Sequence, residues 1–422
     1  MRRAVTLLAA ALQLGAAVSP EYAQRREKLR GNFSDGVLVL FGAKESEDLH
    51  YGFFQDTNFL YLTGWEEPGA ILILTPEVDK DDPAAAERSK LPREILLLPQ
   101  RVPREEKWTG RKLGPLDASV SDTTGFSTVL PAERLEAELR RLLEVYPNVF
   151  TVGAESTERL KKIAPGRNVN DATIRLGYLR MRKSEREIAQ IQHTTDVSVA
   201  AHLAAWKALK PGQYEYEMAA VMTGTFMREG CRRGAYMPIV GSGPNSTILH
   251  YSRNSRRMDS GEVAVMDVAA ECDNYASDIT RTVPVNGKFG KRQREVYEVV
   301  LGAQKAAIDA IKPGVTIQQL TKIARDYMNA HGKDLHGDPL GKYFIHGLSH
   351  HVGLDVHDES TTTVPLAAGM VITVEPGIYI PEESLGVRIE DVVLVTATGS
   401  KNMSGALPRN PDELERALAT SK

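Results

Sequence analysis

Two stretches of this chain are written twice, and a repeated unit limits the folds open to it more than composition does. Ala208-Leu209-Lys210-Pro211-Gly212 returns as Ala310-Ile311-Lys312-Pro313-Gly314, each flanked by helix-like stretches. Gly261-Glu262-Val263-Ala264-Val265-Met266-Asp267 returns as Gly369-Met370-Val371-Ile372-Thr373-Val374-Glu375, with the same spacing from glycine to carboxylate. His250 precedes Asp267 by about the interval at which His357 precedes Glu375. Each carboxylate also has a second one downstream, Asp278 and Glu390. A duplicated unit is the economical explanation. Two copies facing each other across a pseudo-twofold axis bring the matched carboxylates together at the centre.

Asp267 closes an apolar run, and a carboxylate buried there is costly unless it is paired or binds a metal. Between the repeats' markers lies His346-Gly347-Leu348-Ser349-His350-His351-Val352-Gly353-Leu354-Asp355-Val356-His357, which alternates imidazoles, glycines and small apolar residues. Neither a helix core nor a solvated loop needs that alternation. Four carboxylates and an imidazole make a site for two divalent ions.

Length as a prior suggests two domains for 422 residues. A net charge of -3 with mixed signs gives no electrostatic case for nucleic acid. No internal segment is long and apolar enough to span a membrane. Residues 1–19, with a basic start, a modestly apolar stretch and small residues, read as a signal peptide, and export to the periplasm or medium is expected. The alternative is the alanine-rich N-terminus of a cytoplasmic protein. The two cysteines, Cys231 and Cys272, lack metal-ligand spacing, and one disulfide between them is left open.

Residues 20–168 alternate apolar runs at 37–41, 70–74 and 95–98 with helical stretches, the pattern of an α/β domain. Its clearest helix is expected over 131–146, where Leu135, Leu139, Leu142 and Leu143 share a face. Residues 79–93 read as a solvated loop. In the second domain, 169–407, Ser184 and Glu187 form a capping box that starts a helix running to about Leu209, where Pro211-Gly212 stops it. Residues 408–422 read as a polar tail.

The residues from His346 to Asp358, with Thr373-Val374-Glu375-Pro376-Gly377-Ile378-Tyr379, Val387-Arg388-Ile389-Glu390-Asp391 and Asp278-Ile279-Thr280-Arg281-Thr282, resemble the signatures of the pita-bread metallopeptidases. That family (peptidase family M24) includes aminopeptidase P, prolidase, creatinase and methionyl aminopeptidase. Gln55-Asp56-Thr57-Asn58-Phe59-Leu60-Tyr61-Leu62-Thr63-Gly64 and Lys107-Trp108-Thr109-Gly110-Arg111-Lys112-Leu113-Gly114-Pro115 resemble the amino-terminal domain of aminopeptidase P, which methionyl aminopeptidases lack. The resemblance implies an α/β amino-terminal domain plus an α+β pita-bread catalytic domain with internal duplication.

It also implies that Asp267, Asp278, His350, Glu375 and Glu390 hold two divalent ions, with Asp278 and Glu390 shared between them. Carboxylate and imidazole donors without thiolate suit manganese first, with zinc, cobalt or iron as alternatives. Two such ions lower the pKa of a water between them and polarise a scissile carbonyl. By the same resemblance Glu375 shuttles a proton to the leaving nitrogen, His250 and His357 stabilise the tetrahedral intermediate or hold substrate, and His346, Tyr379 and Arg388 line the pocket for proline. Proline-containing peptides are then the partners, no stable membrane insertion follows signal removal, and a homo-oligomer (dimer or tetramer) is the family expectation. The reading is an Xaa-Pro aminopeptidase. Its alternatives are an Xaa-Pro dipeptidase (prolidase) and, from another class, a catalytically inactive pita-bread binding module. His351 is read as structural and His331 and His336 as surface residues. Trp108 is open between a pocket-edge or subunit-contact aromatic and plain core packing.

Overall fold

The computed structural model describes residues 19–46 and 52–419. Apart from Ser19, the expected signal peptide therefore lies outside the described residues. The chain divides into two compact units, Met1–Leu179 and Arg180–Lys422.

The first unit is built on a six-stranded mixed sheet. Gly36–Phe41 is central, antiparallel to Ile71–Leu74 and parallel to Asn148–Thr151. Glu94–Leu98 and Val129–Pro131 extend one edge, and Asn168–Asp171 closes the other. Val37, Val39, Ile73, Leu97 and Val149 are buried in one core with Leu139 and Leu142. The helix expected over 131–146 is shorter, Leu135–Leu142. Pro131 pairs with Leu98 at the end of a strand, and a 3-10 turn, Ala132–Arg134, separates that strand from the helix. At the other end Pro147 disfavours helical backbone at Tyr146. The four leucines share a buried face as expected. Within the 79–93 loop one short helix forms, Ala85–Arg88, none of it buried. Trp108 is 87% exposed, which rules out core packing for it.

The second unit is two copies of one design. Glu185–Ala208 opens with the expected capping box, Ser184 with Glu187, and is followed by Glu215–Arg228. Lys291–Ala310 and Ile317–His331 repeat that pair. Between the helices of each pair the chain turns at a glycine with positive φ, Gly212 at 92° and Gly314 at 95°, a conformation any Cβ would strain. The turns also bond alike. Gly212 N–H donates to Met258 O and Met258 N–H to Gln213 O, both at 2.8 Å; Gly314 N–H donates to Leu366 O at 2.9 Å and Leu366 N–H to Val315 O at 2.8 Å.

Each copy then contributes an antiparallel pair. Val263–Asp267 pairs with Thr280–Pro284, placing Met266 opposite Arg281. Val371–Val374 pairs with Asp391–Val395, placing Val374 opposite Asp391. Arg281 and Asp391 thus hold matching positions in the two copies, and they bond to each other at 2.7 Å with both side chains fully buried. One residue earlier in each copy, Thr280 Oγ1 donates to Glu390 Oε2 at 2.6 Å and Glu390 N–H to Thr280 O at 3.0 Å. The two copies therefore meet at the strand ends that carry the carboxylates.

The pairing left open in the sequence is made: Cys231 and Cys272 form a disulfide across a separation of 41 residues. The polar tail is a correction. Pro411–Ala419 is a helix capped by the Asn410 side chain, which accepts from Asp412 N–H at 2.9 Å. Leu414 and Leu418, one helical turn apart, are buried in the main core.

Candidate active site

Five donors converge at the meeting of the two copies. Asp267 ends its strand, Asp278 lies two residues before the strand opposite it, Glu375 directly follows the matching strand of the second copy, and Glu390 directly precedes its partner. His350 is held by its backbone, whose N–H donates to Thr373 Oγ1 at 3.1 Å while its carbonyl accepts from Thr373 N–H at 2.9 Å. Its Nδ1 donates to the His351 carbonyl at 3.0 Å, so Nε2 faces Glu375 Oε1 at 3.3 Å and Asp278 Oδ2 at 3.5 Å. A carbonyl on one imidazole nitrogen frees the other as a ligand atom.

Three overlapping triads have donor atoms within 4.8 Å of one another: Asp267, Asp278 and Glu390; His350, Glu375 and Glu390; and Asp278, His350 and His357. Asp278, His350 and Glu390 each belong to two. His357, read as a catalytic group, also comes within ligand reach, its ring centroid 3.9 Å from that of His350. Burial lifts Glu375 to about 7. Burial and the neighbouring carboxylates, Asp278 first, hold Glu390 well above the usual range, and Asp267 is raised by burial although Arg388 opposes the shift. Burial disfavours charge on His350 too, yet Asp278 and Glu375 outweigh it and raise it to about 9. Carboxylates crowded until they retain protons fit a site whose charge is balanced by bound cations.

Further groups fix these donors. The Tyr236 hydroxyl lies 2.5 Å from Asp267 Oδ1 and 2.6 Å from Asp278 Oδ1. Thr373 Oγ1 donates to Glu375 Oε1 at 3.2 Å. Neither role was visible in sequence, where a lone tyrosine and a strand threonine carry no signal.

His250 and His357 line the cavity beside the donors, whose volume is about 300 Å³, and both are exposed in it. Met237, Ile239 and Val356 supply apolar wall. The placement of Tyr379 and Arg388 differs from a pocket lining: each is 3% exposed. Arg388 Nη2 donates to Asp267 Oδ2 at 2.5 Å and Nη1 to the Tyr379 hydroxyl at 2.8 Å, which in turn meets His346 Nε2 at 2.9 Å. His346 Nδ1 then donates to Gly347 O at 2.7 Å. Burial first and Arg388 second push His346 down to about 4, so it stays a neutral end to this chain. The physical reason is register: Gly377 pairs with Arg388 and Tyr379 with Gly386, turning these side chains toward Asp267 and the interior. His351 is buried, as expected for a structural residue, and His331 and His336 are exposed.

A donor cluster split between two copies of a helix-pair and strand-pair design defines a metal-dependent hydrolase of the duplicated type. The profile of metallopeptidase family M24 matches residues 189–397, and that of the aminopeptidase P amino-terminal domain matches residues 22–150. The Xaa-Pro aminopeptidase of Haemophilus influenzae is 35% identical over 94% of this chain and 97% of its own length. The structure of Escherichia coli aminopeptidase P with the inhibitor Pro-Leu superposes with a TM-score of 0.83 at 30% identity, covering 96% of this chain and 99% of that one. The Xaa-Pro dipeptidase of Pyrococcus furiosus is 37% identical, but over 62% of this chain and 76% of its own length. The chain belongs to metallopeptidase family M24, in the branch that carries the aminopeptidase P amino-terminal domain.

Proposed function

We propose that the protein is a metal-dependent Xaa-Pro aminopeptidase, removing the residue that precedes proline at the start of a peptide. The observation that carries this over the dipeptidase is coverage: the similarity to Xaa-Pro aminopeptidases runs through both units. The inactive binding module is disfavoured by retention of all five donors around one cavity.

Asp267, Asp278, His350, Glu375 and Glu390 would hold two divalent ions, which when bound supply an activated water and an electrophile for the scissile carbonyl. Oxygen and imidazole donors without thiolate favour manganese. Glu375, on the cavity wall beside the other donors, is placed to take a proton and pass it to the proline nitrogen, which has no N–H of its own. His250 and His357 stand where they can donate to the oxygen that gains charge. The Arg388, Tyr379 and His346 chain acts from behind, orienting Asp267.

Export is also proposed, supported by the N-terminal pattern and by the disulfide, which persists in oxidising compartments. Assembly into a dimer or tetramer is supported by the family resemblance and the bare Trp108 ring. The domain limits 1–19, 20–168, 169–407 and 408–422 stand as a proposal for limited proteolysis, with the helix Pro411–Ala419 joined to the catalytic domain.

The test is hydrolysis of matched Xaa-Pro-Yaa and Xaa-Pro peptides by manganese-loaded protein, with Glu375→Ala as control. Release of Xaa from the longer peptide, reduced about 10²- to 10⁴-fold in the variant, supports the aminopeptidase. Cleavage of the dipeptide alone selects the prolidase, and inert metal-loaded protein selects the binding module.

A further inference from the structure

His250 and His357 precede the matched carboxylates Asp267 and Glu375 by similar intervals, and both are exposed on the cavity. In each case the next residue turns inward and is buried, Tyr251 to 8% and Asp358 to 5%. Each of these two residues ends on a buried charge supplied by a helix start or the segment before one. The Tyr251 hydroxyl donates to Glu215 Oε2 at 2.8 Å. Glu215, fully buried as the first residue of the helix Glu215–Arg228, also accepts from Ser242 N–H, Ser242 Oγ and Arg256 N–H, each at 2.8 Å. Its carboxylate therefore gathers both ends of the loop that carries His250. Asp358 accepts from Lys183 Nζ at 2.8 Å and from Arg180 Nη2, while its N–H donates to the His351 carbonyl at 2.9 Å. Lys183 is itself fixed by its backbone N–H, which donates to Gly369 O at 2.8 Å. Burial alone would raise the pKa of Asp358; Lys183 and Arg180 keep it below the usual carboxylate range, hence ionised.

An imidazole on an exposed segment has backbone and rotamer freedom that a fixed neighbour removes, and misplacement by about 1 Å can cost up to about 10² in rate. We infer that Glu215, acting through Tyr251, and Lys183 with Arg180, acting through Asp358, are two independent positioning devices, one per copy, that aim His250 and His357 at the reacting carbonyl. The inference rests on the roles proposed above for the two histidines. The device follows the repeat in placement but not in chemistry. One copy anchors a phenol on a carboxylate, the other a carboxylate on two cations.

The experiment is a pair of double-mutant cycles on Xaa-Pro-Yaa hydrolysis by the metal-loaded full chain, with kcat, KM, bound metal and Tm recorded for every variant. Tyr251→Phe, which deletes one hydroxyl, and Lys183→Met should each lower kcat about tenfold, with KM changed less than about twofold and metal content unchanged. In a His250→Ala background Tyr251→Phe should cost nothing further, and in a His357→Ala background Lys183→Met should cost nothing further. The crossed pairs, Tyr251→Phe with His357→Ala and Lys183→Met with His250→Ala, should multiply. A full tenfold cost of Tyr251→Phe in the absence of the His250 imidazole, or no cost in its presence, overturns the inference; this arm decides even where Lys183→Met folds poorly. Full activity of His250→Ala or His357→Ala would instead overturn the role given to that histidine, and no hydrolysis by the parent protein would overturn the activity itself.

Discussion

Arg281→Met removes the guanidinium that joins the two copies of the catalytic unit. Arg281 is wholly buried and donates to Asp391 Oδ1 at 2.7 Å, to Glu390 O at 2.5 Å, to Thr280 O at 2.9 Å, and to Pro408 O and Leu407 O at 3.1 Å. Breaking one side of a buried ion pair costs about 3–5 kcal/mol, because the other charge stays buried. Asp391 would keep Arg409 at 3.0 Å and Ser404 Oγ at 2.7 Å, which places the loss near the lower end, about 3 kcal/mol. For a unit of this size that is a fall of about 6–12 °C in melting temperature. Glu390 loses the bond to its carbonyl, so metal affinity should fall about 10- to 100-fold. Scanning calorimetry of metal-stripped protein and a competitive chelator titration measure the two effects. The double variant Arg281→Met/Asp391→Leu should recover part of the stability, since the wholly buried charge is gone and Arg409, which also loses Asp391, is partly exposed. A melting temperature within about 2 °C of the parent, with unchanged metal affinity, would refute the idea that this pair joins the copies.

Metal-stripped protein should lose stability as pH rises from about 7 to 9, where Glu375 and His350, raised to about 7 and about 9, give up their protons. The histidines that burial lowers, His202, His346 and His351, are already neutral there in both states. Glu375 is raised from 4.5 to about 7 by burial. A group that binds its proton more tightly when folded contributes stability below its unfolded pKa and loses it as pH climbs through the folded one. That is at most on the order of 3 kcal/mol for Glu375. The lowered carboxylates, Asp358 and Asp391, titrate below this window and leave it flat. Calorimetry should show the slope in stripped protein and its disappearance on metal loading; a flat stripped profile would contradict the crowding of carboxylates. Tyr236→Phe should weaken metal binding about tenfold by freeing Asp267 and Asp278, read by the same titration, and unchanged affinity would remove Tyr236 from the site. Cys231→Ser/Cys272→Ser should cost up to roughly 4 kcal/mol, the chain entropy of the loop it closes, and equal denaturation midpoints for variant and parent would show that the bridge adds nothing.

The duplication was legible because both copies keep the helix-ending glycine and the glycine-to-carboxylate spacing, which backbone geometry demands twice over. The donors were legible for a related reason: Asp267 and Glu375 end runs that are otherwise mostly apolar. Arg388 was recognisable as a site residue, but its direction was not. Side chains alternate along a strand, and only the pairing of Gly377 with Arg388 turns it toward Asp267. Tyr236 left no trace because its partners come from strands remote in sequence. The helix Pro411–Ala419 hid behind its composition: its polar face is what solvent sees, and Leu414 and Leu418 show their purpose only against a core.

The division of the donors between the copies also bears on how the chain is made. Asp267 and Asp278 leave the ribosome well before Glu375 and Glu390, and Arg281 waits for Asp391 before its charge is matched. A nascent first copy therefore exposes a half-built anionic pocket and an unneutralised cation, neither of which can be settled alone. A chain ending before residue 390 would lack Glu390 and Asp391, leaving the donor set incomplete and Arg281 without its carboxylate.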